Sequence, residues 1–147
     1  MSALSTARSL TFGQWVILLR AALLLPAVDV SLRLRGCAAT RHTFVSHCAS
    51  VSGEVDLAAA RDIARAVSIA ARCVPWPATC LRQAVVLERF LARRGIPCAV
   101  RIGVSSDADL LAGREHRDRV AAHAWVEVAG QIILGGEQSA QRYVPLL

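Results

Sequence analysis

The chain contains no lysine and no asparagine, and all seventeen of its positive side chains are arginine. The missing ammonium group excludes a phosphate-loop lysine, a Schiff-base lysine and a serine–lysine dyad, and no glycine-rich phosphate loop occurs in any other form. Aromatics are only 5% of the residues. Little is available to stack on bases, so the net charge of +6 is read as a surface for an acidic partner and not for nucleic acid. Cysteine occurs five times, an odd count at uneven spacing, and no small-residue cleavage site follows the N-terminal apolar stretch. The expectation is a reduced, cytoplasmic protein and not a disulfide framework.

Apolar residues are abundant. At 54% hydrophobic and 19% charged over 147 residues, the chain can bury one sizeable core. The longest apolar run, residues 15–28, is interrupted by Arg20 and Pro26 and is about fourteen residues long, short of the roughly 20 that a spanning helix needs. A buried or partner-facing helix is expected there, and membrane association is not. A leucine–arginine alternation then ends at Gly36, with its arginines facing water or an acidic partner. Residues 1–50 are set apart as an N-terminal helical extension and candidate docking segment, with residues 51–147 as the core. Cys37, His42, His47 and Cys48 are of metal-ligand type, but their spacing fits no zinc pattern, and neither metal nor cofactor is implied.

From Asp56 the pattern is regular. Asp56 can cap a helix over residues 56–72 that places Ala60, Ile63, Ala64, Val67 and Ala71 on one face. Pro75 and Pro77, around Trp76, end it. A second helix starts around Cys80, turns Leu81, Ala84, Val85, Leu87 and Leu91 inward and Arg82, Arg89 and Arg93 to solvent, and stops at Gly95 before Pro97. The period then changes to two. Residues 98–104 form a strand with Cys98, Val100, Ile102 and Val104 on one face, and 105–119 read as a loop. Residues 120–128 form a strand with His123, Trp125 and Glu127 opposite Ala122, Ala124, Val126 and Val128. Ala129 and Gly130 turn the chain into residues 131–134 as an antiparallel hairpin. Helices followed by an antiparallel sheet of at least three strands make an α+β fold.

Two positions can carry chemistry. Cys80 opens a helix after a proline-rich loop, where unpaired N–H groups and the helix dipole favour a thiolate; the alternative is a packed cysteine. His123, on a strand face after a polar loop, can act as general base toward a thiol and general acid toward a leaving amine, or be a hydrogen-bonded structural histidine.

The stretch Cys80-Leu81-Arg82-Gln83-Ala84, the helix end Leu91-Ala92-Arg93-Arg94-Gly95-Ile96-Pro97, the strand Arg101-Ile102-Gly103-Val104 and His123-Ala124-Trp125-Val126-Glu127-Val128 together resemble the core of the lasso-peptide leader peptidases. These are bacterial maturation proteases with a transglutaminase-like, papain-related fold, and the resemblance covers roughly residues 56–137. It implies that Cys80 is the nucleophile and His123 the base in cutting the amide between leader and core of a ribosomally made precursor, with the Cys80 N–H as an oxyanion donor. It also implies a separate leader-recognition protein and an ATP-dependent lasso cyclase as partners. Related enzymes carry a carboxylate on the strand after the histidine, but the hairpin puts Gly135 and Gly136 about opposite His123, and neither can orient an imidazole. Glu127 lies about 13 Å along the strand. Glu137 is the preferred third member, with a cysteine–histidine dyad as the alternative. An amine-accepting transglutaminase and a non-catalytic arginine-rich binding module are the other readings.

Overall fold

The structure, a computed structural model, describes residues 12–45, 55–75, 79–105, 122–136 and 143–145. Among the described residues three helices precede the sheet: α1 (Phe12–Val45), α2 (Leu57–Cys73) and α3 (Cys80–Arg93). The strands β1 (Ala99–Ser105), β2 (Ala122–Val128), β3 (Gln131–Leu134) and β4 (Tyr143–Pro145) form one antiparallel sheet in the order β3-β2-β1-β4. The fold is α+β, as the order of periodicities implies.

The helices form where the sequence calls for them. The Asp56 carboxylate accepts from the Ala59 N–H at 2.8 Å, satisfying one of the orphan donors of α2. Ala60, Ile63, Ala64, Ala66, Val67 and Ala70 of α2 are buried in one core with Ala84, Val85, Leu87 and Leu91 of α3. The other side of α3 packs on β1 and β2, where Val100, Ala124, Val126 and Val128 complete the same core. Full burial of side chains such as Leu87 and Leu91 contributes about 1.5–3 kcal/mol each.

The N-terminal helix is longer than expected. The apolar run of residues 15–28 is only part of α1, which continues through Pro26 to Val45 with one interruption at Gly36 (φ 76°, ψ 177°). A positive φ is strained for residues with a Cβ, so the break falls at the glycine. A hydrogen bond of 3.0 Å between the Ser31 and Thr40 hydroxyls spans it. By length and composition alone, Gly13–Phe44, whose most apolar 18-residue window has a mean hydropathy of 1.9, is long and apolar enough to cross a membrane, a test that a core helix also passes. The same helix contributes Ile17, Leu18, Ala21, Leu25 and Val28 to the common core. Its opposite face exposes Trp15, Leu19, Leu23, Val30 and Leu34.

Two of the three arginines assigned to solvent on α3 are instead engaged with α1. Arg82 pairs with Asp29 at 2.6 Å and is largely buried. Arg89 donates to the Phe44 carbonyl at 3.0 Å and lies over the Phe44 ring, and burial pushes its guanidinium down from the usual arginine range. Buried Glu88, on the same helix, takes a two-pronged contact from Arg41, at 3.0 and 2.6 Å. Periodicity treats α3 as a helix with one neighbour, whereas it has several: α1, α2 and the sheet.

Candidate active site

Cys80 is the first residue of α3, half-buried at the edge of the core. Its helix begins there because Thr79 is extended (φ −63°, ψ 159°) and accepts the Gln83 N–H at its carbonyl. Thr79 makes no side-chain capping bond, so no cap hydroxyl occupies the first-turn N–H groups. The Asp29–Arg82 pair holds this turn against α1, and Asp29 also accepts from Arg33 at 3.0 Å.

His123 is the second residue of β2. It lies opposite Gly103, which in turn lies opposite Pro145 of β4. The connection from α3 to β1 occupies residues 94–98, and the chain then runs back along the helix it has just left. Fourteen helical residues extend about 20 Å, and the four steps from Ala99 to Gly103 about 13 Å. α3 packs on both β1 and β2.

The imidazole has defined partners. Its Nε2 is 2.8 Å from the Gly135 carbonyl oxygen. The Tyr143 ring lies 5.0 Å away, centroid to centroid, and the Trp125 ring 6.5 Å away in a stacked arrangement. β1, with Gly103 opposite His123, lies between the two strands that carry these rings. Trp125 is 1% exposed and donates its indole N–H to Glu127 at 2.7 Å, and Arg101 stands 3.6 Å from the other Glu127 oxygen. Glu127 thus anchors the tryptophan.

The glycines are not where a regular hairpin puts them. The turn is tight, with Ala129 (φ 49°) and Gly130 (φ 76°) both left-handed, as a type I′ turn requires. The register then shifts: Glu127 pairs with Ile132, but Val126 pairs with Leu134. Ile133 is the extra residue of a β-bulge, and it carries Gly135 to the level of Trp125. A Cβ added to Gly135, whose φ is +107°, would lie 2.5 Å from the Trp125 Cβ. The expectation that neither glycine can orient an imidazole is also overturned, because the main-chain carbonyl of Gly135 bonds the ring. Glu137, like His47, Cys48, His116 and Trp76, lies outside the described residues. Tyr143 was missed from sequence. It is the only tyrosine, but it belongs to a three-residue strand too short to show a period.

The family model of the transglutaminase-like superfamily matches residues 22–147. No curated protein and no solved structure matches the chain.

Proposed function

Because the chain belongs to the transglutaminase-like superfamily, a group of cysteine peptidases and acyl transferases, we propose that it is a cysteine peptidase that removes the leader from a lasso-peptide precursor. What supports this reading is a cysteine that opens a helix without a side-chain cap and a strand histidine whose ring is bonded to a main-chain carbonyl. In the reaction, the Cys80 thiol passes its proton to His123 and the thiolate adds to the scissile carbonyl. The oxyanion is received by main-chain N–H groups at the start of α3, that of Cys80 among them. The C–N bond breaks, the leaving amine takes the proton from the imidazolium, and a thioester remains on Cys80. Water then adds to the thioester and gives one proton to His123. The C–S bond breaks, and the returning proton restores the thiol.

The N-terminal segment is the docking surface in this reading. The apolar stripe Trp15, Leu19, Leu23, Val30 and Leu34 recurs at intervals of four or seven, so it forms one face of α1, opposite the buried one. The same helix adds the exposed Arg20, Arg33 and Arg35, whereas Arg41 is engaged by Glu88. Such a face suits a separate leader-recognition protein that presents the precursor, with the ATP-dependent cyclase acting on the released core.

The test is mass spectrometry of a precursor incubated with this protein and its recognition partner. Cys80→Ala lowers leader removal by at least about 10³-fold, and unchanged cleavage overturns the assignment. A product carrying an added amine in place of a free carboxylate identifies an acyl transferase.

A further inference from the structure

We propose that the main-chain carbonyl of Gly135 is the third member of the catalytic group, the acceptor that orients His123 in place of a carboxylate side chain. The inference rests on the peptidase reading above and specifies how its base is held. A carbonyl oxygen has no proton to give, so the 2.8 Å contact requires Nε2 to be the donor. In the neutral ring the lone pair is then on Nδ1, and Nδ1 is the atom that takes the thiol proton and returns it to the leaving amine. The Nε2 proton stays on the ring throughout, and the carbonyl dipole stabilises the imidazolium formed between the two transfers.

Three local features set this acceptor in place. The Ile133 bulge moves the glycine one position along β2, from its count in a regular hairpin to the level of Trp125. The backbone at Gly135 has φ +107°, a conformation that residues with a Cβ rarely adopt. The close approach to Trp125, with 2.5 Å from a would-be Cβ to the Trp125 Cβ and 3.1 Å to the Ala124 carbonyl oxygen, leaves room for hydrogen only. On the ring's other flank, Tyr143 limits rotation of the imidazole away from the carbonyl. Gly135 is therefore a positioning residue that acts through His123.

The direct test is a long-range ¹H–¹⁵N correlation spectrum of the labelled full chain at a pH where the His123 ring is neutral. The expected pattern has a protonated Nε2 and an unprotonated Nδ1, and it persists in Glu137→Ala. A protonated Nδ1, or an average over both tautomers as in free imidazole, overturns the proposal. So does loss of the pattern in Glu137→Ala, which would assign the acceptor to that carboxylate. Gly135→Ala is expected to abolish the fixed tautomer and to lower leader removal by 10²-fold or more. If that variant does not fold, the spectrum of the unaltered chain still decides. The two readings fail separately: full cleavage by Cys80→Ala removes the peptidase assignment and leaves the tautomer result standing, whereas the wrong tautomer with an essential Cys80 removes only the Gly135 role.

Discussion

Ala129 holds a left-handed backbone angle that costs a residue with a Cβ about 1–2 kcal/mol, and it does so in the turn that fixes the register of β3. Ala129→Asn gives the turn its preferred Asn-Gly pair and is expected to raise stability by about 0.5–1 kcal/mol, read as a shift in the urea midpoint at constant slope. Glu127 is engaged differently: it accepts from Trp125 and faces Arg101. Glu127→Ala strands a buried indole N–H and is expected to cost about 1–3 kcal/mol in the same measurement. Cys80 and His123 were legible as candidates because each has a local signature, a helix start and a two-residue period. The Gly135 contact was not. A bulge adds one residue to one strand, and within Ile132, Ile133 and Leu134, all apolar, nothing marks which is extra. The bonding group is moreover a main-chain oxygen, which every residue has.

At the scale of elements, α3 is held by charge as much as by its apolar face. Asp29→Ala removes the acceptor of Arg82 in the turn that presents Cys80. It is expected to slow leader removal more than it lowers the melting temperature, a combination that loss of packing alone does not produce. Glu88→Ala leaves the Arg41 guanidinium without its two-pronged partner and is expected to destabilise by about 1–3 kcal/mol; the pair is partly exposed on the arginine side, which keeps the figure below that of a fully buried pair. The hydrogen bonds that it donates to Glu88 raise the Arg41 guanidinium above its already high range. A group raised in the folded state adds stability that is lost only as pH climbs through the folded value. Alkali within the ordinary working range therefore does not release α1 from α3 through Arg41. The helices themselves were readable from Asp56, Gly95 and the spacing of apolar residues. The solvent assignment of Arg82 and Arg89 failed because a single-helix pattern carries no information about a third helix packed from residues far upstream.

For the molecule as a whole, the length of α1 was the feature least visible in the sequence. Pro26 and Arg20 look like interruptions to a composition count, yet the helix passes through both, because its inward stripe from Ile17 to Val28 gains more from the shared core than one missing hydrogen bond costs. The outward stripe is left bare, with Leu23 at 75% and Leu34 at 78% exposed. Leu23→Glu combined with Leu34→Glu is expected to change stability by less than about 0.5 kcal/mol, as surface substitutions do, while abolishing capture of the proposed leader-recognition partner in a pull-down of the purified pair. Retained capture with lost binding to anionic vesicles would assign the stripe to a membrane surface instead.

The hydrogen bond to the Gly135 carbonyl also has a hereditary consequence. A carboxylate that orients a catalytic histidine can be erased by one codon change, and a search for conserved acids will find where it stands. A main-chain oxygen is written by every codon alike. No substitution deletes it, and none reveals it in a comparison of residue types. What mutation can do at this position is displace it, by adding a side chain where Trp125 leaves no room. Selection on the site should then register as an intolerance of anything but glycine, a signature normally filed under turns and not under catalysis.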